Sequence, residues 1–491
     1  MIEIPSFNEL IEKSIVNNWD KDALTDFKGA TLQYHDVARK IEKLHIMFES
    51  SGVQRGDKIA LCGRNSSNWA VAFLATLTYG AVAVPILHEF TADQIHNIVN
   101  HSEAKLLFVG DYVATIIDQT KMPDLEGIIY IPDYSLVVSR TDKLTYAREH
   151  LNAMFGEKYP KFFRKEHVHY YREQSPEELA LINYTSGTTG FSKGVMIPYR
   201  AMWSNYDFAM TAVAKHIKKG DNVISILPMA HMYGMAFEFL FEFLFGCHVF
   251  YLTRVPSPAI IAAAFAEVKP AIIIAVPLVI EKIIRKKGLP KLQTNRMRLL
   301  LNMPFVNKKV FEKIREQVVN AFGGKFYEII VGGAAFNQEV EQFLQRIEFP
   351  YTVGYGATEC APIICYADCH DFVAGSCGKP VVHMEVKIDS PDPQNVPGEI
   401  LARGLNVMLG YFKNEEATAQ TLDADGWYHT GDLGLMDADG NVFIKGRSKN
   451  MLLGASGQNI YPEEIEDKLN SLNIVNECIV VQRETCWSCL P

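Results

Sequence analysis

"YTSGTTGFSKGV", Tyr184 to Val195, sets three glycines, five serine or threonine hydroxyls and one lysine in twelve positions. No core can be built from it, yet "ELALINY" before it and "GVMIPY" after it are apolar and strand-like. The stretch therefore reads as a loop that emerges from two packed strands. Glycines let backbone approach a phosphate closely, and successive N–H groups form an anion nest. Gly187 and Gly190 supply that freedom, Thr185, Ser186, Thr188 and Thr189 add hydroxyl donors, and Lys193 adds a charge. A Walker loop has glycine before its lysine, Ser or Thr after it, and opens a helix. Here Ser192 precedes Lys193, Gly194 follows, and a strand comes next, so this is not a Walker loop. A mobile surface hairpin of the same composition is the alternative, and the packed flanks favour phosphate.

Outward from this loop, strand and helix signals alternate. "GDKIALCG" reads as strand, "NWAVAFLATLTYG" as helix and "AVAVPI" as strand. "PAIIIAVP" precedes the helical "LVIEKIIRKKG", "FYEIIVGG" precedes "NQEVEQFLQRI", and "YTVGYGATE" leads a strand into a turn. That order predicts an α/β fold with substantial parallel sheet. Near residue 380 the pattern changes to short strands, "VVHMEVKI", "GEILAR" and "NVFIKG", separated by "SPDPQNVPG" and "DADG" turns. We expect a large α/β core over 1–380, a β-rich subdomain closing it over 381–446, and a hinge with an incomplete α+β domain over 447–491.

Composition narrows the function classes. The chain has 491 residues, too many for one compact domain, with 48% hydrophobic and 21% charged residues. A net charge of −9 argues against a general nucleic-acid binder. "MIEIPSFNEL" lacks the basic start and apolar run of a secretory signal. "MAFEFLFEFLFGCHVFYL" is strongly apolar, but Glu238 and Glu242 lie four residues apart on one helical face; "AIIIAVPLVI" is short and breaks at Pro277. Both read as buried core, with a peripheral membrane contact left open. Nine scattered cysteines suit reduced thiols in a cytoplasm. Cys360, Cys365, Cys369 and Cys377, with His370 nearby, match no common ligand spacing and read as incidental.

Six motifs in order carry a family resemblance. "YTSGTTGFSKGV", "LPMAHMYG", "GGAAF", "GYGATE", "GWYHTGDLG" and "GRSKNMLLGASGQNIYPEEIE" resemble those of the adenylate-forming enzymes: acyl-CoA synthetases, luciferases and peptide-synthetase adenylation domains. The resemblance assigns Glu359 to Mg²⁺, with Thr185 beside it, and Thr358 to the α-phosphate of ATP. The metal role fits the oxygen ligands that Mg²⁺ takes. Tyr355 offers a ring face to adenine, and the small Gly333, Ala334 and Ala335 leave room opposite; Gly356 stands beside the tyrosine on the nucleotide side, and the resemblance gives Gly354 to substrate binding. Asp432 can accept from a ribose diol, and Arg447 offers a donor fork to it. His231 lies between the acyl and nucleotide pockets by this resemblance, and Lys449 at the hinge.

The resemblance implies a two-step ligation. A carboxylate displaces pyrophosphate from ATP to give an acyl-adenylate, and the coenzyme A thiol then displaces AMP. Catalysis would rest on positioning and charge neutralisation by Thr185, Lys193 and Glu359. Amino-acid-activating relatives hold the amine with an aspartate that "LPMAHMYGMAFEF" lacks, and its apolar run suits a fatty acid of medium or long chain. An aryl acid is the rival substrate, and a nucleotide-binding regulator without catalysis the rival class. Only 42 residues follow Lys449, where relatives carry about a hundred. The family's late catalytic lysine falls outside them. The expectation is therefore poor adenylation, with a strand at "ECIVVQRE" left without a partner.

Overall fold

The computed structural model describes residues 3–185, 192–253, 257–287, 306–334 and 336–450, and beyond these 452–453, 459–460, 462, 465–466, 469, 475, 478–483 and 486–490. Two compact units form from interrupted sequence. The first comprises Met1–Ile272, Thr358–Pro362 and Leu405–Thr418; the second comprises Ile273–Ala357, Ile363–Gly404 and Ala419–Pro491.

The first unit is built on an eight-stranded sheet. Its order is Gly410–Tyr411, Lys193–Pro198, Leu179–Thr185, Val82–Ile86, Lys58–Cys62, Ala104–Val109, Gly127–Tyr130 and Leu136–Ser139. The strands from Leu179–Thr185 to Gly127–Tyr130 run parallel, and antiparallel strands finish both edges. "KIALC" and "VAVPI" are almost wholly buried, as the continuous apolar runs of a parallel sheet covered on both faces require. The helix Ser67–Tyr79 shows why "NWAVAFLATLTYG" folds as it does. The Ser66 hydroxyl accepts from Trp69 N at its start, and Gly80, at φ 88°, ends it. Its residues from Trp69 to Thr78 are all buried, so a helix apolar all round is buried all round. A second sheet of the unit, ordered Asn222–Ser225, His248–Tyr251, Asp22–Asp26 and Thr31–Gln33, receives the strand that leads to His231.

The apolar segment after His231 is core, as its sequence suggests. It winds as the helix Met232–Met235, the π-helical Ala236–Leu240 and the helix Phe241–Phe245, and stops at Gly246. Among the described residues no helix is long and apolar enough to cross a membrane.

In the second unit Ile273–Ala275, Ile329–Val331 and Tyr351–Val353 form a parallel sheet, and the helix Gln338–Arg346 connects the last two. The strands Met384–Asp389, Gly398–Gly404, Tyr428–Met436 and Val442–Arg447 form an antiparallel sheet. One correction concerns the tail. The strand Ile479–Arg483 is not without a partner: it pairs antiparallel with Cys486–Leu490, from Ile479 opposite Leu490 to Arg483 opposite Cys486. Pro462, in the "YPEEIE" segment, is helical and buried, whereas Glu463, Glu464 and Lys468 lie outside the described residues.

Glu328 precedes the strand Ile329–Val331 with no exposure at all. It accepts from the Tyr366 hydroxyl and, at 3.0 Å, from Cys369 N. Burial is the main cause that pushes its pKa from 4.5 to about 7, against the pull of those hydrogen bonds. The folded carboxyl thus keeps its proton where the unfolded one has lost it, and stability falls as pH rises from about 4.5 to about 7. Glu328→Gln keeps an acceptor and cannot ionise. Its urea midpoint is expected to decline less across that window than the wild type's, and parallel pH profiles would refute this account.

Candidate active site

The hairpin that carries the phosphate-type loop belongs to the first unit. Leu179–Thr185 and Lys193–Pro198 pair antiparallel down to Thr185 opposite Lys193, so the loop leaves from two fixed ends. Gly194 is required there: a Cβ would meet the Tyr184 ring at 3.0 Å and Ile182 at 2.9 Å. Tyr184 is itself tied by its hydroxyl to His101 Nδ1 at 2.7 Å. Ser186, Gly187, Thr188, Thr189 and Gly190, read as the phosphate cradle, lie outside the described residues, as does Ala335.

Beside this hairpin runs the two-residue strand Gly410–Tyr411, with Tyr411 opposite Val195. The Lys193 ammonium lies 4.7 Å from the Tyr411 ring centroid, a cation–π contact. The same tyrosine's hydroxyl donates to Glu359 Oε1 at 2.8 Å. Met408 N donates to the Glu359 carbonyl at 2.8 Å and fixes its backbone as well. Thr185, Lys193, Thr358 and Glu359 are all half-buried. Tyr411 was missed in the sequence. "GYF" at 410–412 carries no motif of its own, and only strand pairing brings the ring between lysine and carboxylate. As a Mg²⁺ ligand Glu359 fits: Oε2 has no hydrogen bond among the described residues, and a carboxylate oxygen is the hard donor this ion takes.

His231 sits on a backbone turn that three buried side chains hold. Asn65 donates to Leu227 O at 2.6 Å and accepts from Met229 N at 2.9 Å. Asn183, two residues before Thr185 on the hairpin strand, donates to Ala230 O at 2.8 Å. Glu238 Oε2 accepts from Ile226 N at 2.9 Å and Leu227 N at 2.7 Å. Gly234 lets the following helix close onto this turn, because a Cβ would lie 2.8 Å from Pro228 O. His231 Nδ1 accepts from Tyr233 N at 3.2 Å, which leaves Nε2 as the protonated donor of the neutral ring. The imidazole is open to solvent, yet the crowded protein around it removes enough water to lower its pKa. Within the apolar run, Tyr233 and Phe237 contact one another and Phe237 meets Phe208, whereas Phe239 and Phe243 pack among Phe73, Tyr34 and Tyr251.

The second unit gathers Tyr355, Asp432 and Arg447. Asp432 and Arg447 are register partners of neighbouring strands, and Arg447 Nε stands 3.2 Å from Asp432 Oδ1. The buried Tyr355 hydroxyl donates to Asp432 Oδ2 at 2.6 Å. Burial first, and then the carboxylate, raise the phenol's pKa and keep it a donor. Gly333, at φ 86°, and Ala334 are exposed, and among the described residues only Val276 Cγ1 lies within 4 Å of an added Cβ at Gly333. Gly354 is half-buried, Gly356 is exposed, and Lys449 is exposed in the turn after Val442–Arg447. The "GYGATE" motif is divided, Tyr355 to Ala357 belonging to the second unit and Thr358 and Glu359 to the first.

Cys62, Cys247, Cys360, Cys365, Cys369, Cys377 and Cys478 are free thiols. Asp368, Cys369 and His370 bring ligand atoms within 4.8 Å of one another, and the Tyr327 hydroxyl bonds Asp368 and His370 there. A cavity of about 410 Å³ includes Asp26, Arg64, His88 and Tyr112 in its lining, and none of the motif residues.

The AMP-binding enzyme family matches residues 11–412. The chain belongs to that family. This AMP-binding enzyme is 31% identical over 484 residues to the Arabidopsis thaliana protein named long chain acyl-CoA synthetase 7, peroxisomal, an alignment covering 91% of this chain and 66% of that one. It is 26% identical to long-chain-fatty-acid–CoA ligase ACSBG2 of Gallus gallus, over 94% of this chain and 63% of the relative. The chain thus spans about two-thirds of the length of these relatives. Among solved structures, the anthranilate CoA ligase AuaEII with anthranoyl-AMP superposes with a TM-score of 0.79 at 19% identity, covering 99% of this chain and 86% of that one. ATP-bound MatB from Rhodopseudomonas palustris gives 0.74 at 22%, covering 97% and 85%. At these identities the structures establish the shared fold.

Glu238 tests the turn. It is fully buried, and burial above all raises its pKa well above the carboxylate range, so its acceptor role does not need a charge. Glu238→Gln is expected to stay within about 1 kcal/mol of wild-type stability, while Glu238→Leu, which orphans two buried N–H groups, loses about 2–4 kcal/mol. Urea denaturation of both variants measures the difference, and equal losses would disprove the clamp.

Proposed function

We propose that this AMP-binding enzyme activates a medium- or long-chain fatty acid with ATP and Mg²⁺ to acyl-AMP, and passes the acyl group to coenzyme A. The observation that carries the reading is the Lys193–Tyr411–Glu359 chain at the mouth of the phosphate-type hairpin. It presents one cation and one carboxylate with a free oxygen beside the ends of a glycine- and hydroxyl-rich loop. Lys193, fixed over the Tyr411 ring, neutralises phosphate charge, and Thr358 offers its hydroxyl to the α-phosphate. Glu359 and Thr185 would hold Mg²⁺, which supplies charge neutralisation at the phosphates when bound.

Asp432, already fixed by Tyr355 and Arg447, would accept from a ribose hydroxyl. The Tyr355 ring would cover adenine, Gly333, Ala334 and Gly356 would leave the backbone open to it, and Gly354 would serve substrate binding. His231 borders the acyl group as a neutral Nε2 donor, and Lys449 acts at a hinge. The absence of aspartate from "LPMAHMYGMAFEF" and the names of the curated relatives support a fatty acid over an amino acid. Free thiols suit a reducing compartment, which we read as the cytoplasm.

Glu359→Gln preserves size and removes charge, and pyrophosphate release with ATP, Mg²⁺ and fatty acid should fall by about a hundredfold or more. Tyr411→Phe keeps the ring under Lys193 and loses the hydrogen bond to Glu359, so its release rate should fall about tenfold. Near-normal rates in both would remove the observation on which the reading stands. Across a panel of acids, each methylene should add about 0.8 kcal/mol of binding until the pocket is full. Preference for benzoate or an amino acid over every fatty acid would reject the substrate assignment.

A further inference from the structure

The stretch "KYPKFFRK", Lys158 to Lys165, carries four cations and no carboxylate in a chain of net charge −9. Glu157 and Glu166 flank it. It follows the helix Leu151–Lys158 and runs without regular structure into the 3-10 turn Lys165–His167. Lys158 pairs with Glu42 at 2.8 Å. Lys161, Arg164 and Lys165 are exposed and have no ion pair among the described residues. Phe162 stands among them at 71% exposure, the most exposed of the large hydrophobic side chains described.

The adjacent Phe163 does the opposite. Its ring packs against Tyr159 at 5.0 Å, Phe155 at 5.8 Å, His167 at 5.9 Å and Trp19 at 6.1 Å. Tyr159 is anchored in turn through its hydroxyl to Glu42 at 2.9 Å, and Arg164 N donates to His167 Nδ1 at 3.0 Å. One phenylalanine thus pins the loop to an aromatic bed while its neighbour projects into water between cations. Because the loop is already ordered, insertion of Phe162 into another phase costs little conformational entropy.

We propose that Lys161–Lys165 is a docking point for an anionic membrane surface, with Phe162 as the inserted anchor and Lys161, Arg164 and Lys165 as its electrostatic partners. Charge complementarity decides the partner. Three unpaired cations around a single projecting ring match an anionic interface, where each Lys or Arg contributes about fivefold to partitioning and an aromatic ring sits at headgroup depth. A lone ring offers too little area for a stable protein interface. The inference is independent of the acid activated.

The test is flotation of the full chain with phosphatidylcholine vesicles, with and without phosphatidylserine. Binding is expected only with phosphatidylserine, and raised salt should release it. K161E/R164E/K165E should lower partitioning by about a hundredfold or more, and Phe162→Ala by about tenfold. All four side chains are exposed, so unchanged thermal melting of each variant verifies the fold. Equal binding to both vesicle types, no binding to either, or a triple variant that binds like the wild type would overturn the proposal. Capture of an acidic protein without vesicle binding would overturn it equally.

Discussion

The pairing of Thr185 with Lys193 is the constraint on which the rest of the candidate site depends. Two packed strands end at the same level, so a loop made of residues that favour disorder starts and finishes at fixed points. The hairpin also gives the edge on which Gly410–Tyr411 adds, and that edge brings Glu359 within reach through one tyrosine. Gly194 is the sequence's concession to this arrangement. A side chain at this position would run into the Tyr184 ring and Ile182.

A second layer of order comes from polar groups placed where water cannot reach. Asn65, Asn183 and Glu238 spend their hydrogen bonds on the backbone from Ile226 to Ala230. In a low-dielectric interior such bonds are strong, and their loss is costly, so a loop satisfied in this way has few alternative conformations. The turn ahead of His231 is accordingly held like part of the core, although its histidine faces solvent.

Much of this was legible from the residues, for identifiable reasons. The glycine- and hydroxyl-rich loop announces itself because nothing in it can be buried, and the parallel strands announce themselves as unbroken apolar runs. The buried Glu238 shows the opposite case. Its charge reads as an argument against a membrane span, and correctly so, but its task depends on two N–H groups twelve and eleven residues earlier that no pattern reveals. Tyr411 was hidden by the same cause, since a two-residue strand has no period. The strand at "ECIVVQRE" was expected to lack a partner, and the tail "CWSCL" proves to supply it. Propensity rates each segment alone, whereas pairing is a property of two.

The interrupted make-up of the first unit has a consequence for how the protein comes into being. Its sheet includes Tyr411, and its carboxylate is Glu359, yet most of its residues precede Ile273. A ribosome delivers the chain from the N-terminus, and domains ordinarily fold in that order. Here the leading unit cannot finish when its main segment emerges. Its antiparallel edge beyond Lys193–Pro198 stays open until Tyr411 has been made, and throughout that interval the nascent chain carries an unpaired strand edge of the kind that invites wrong partners.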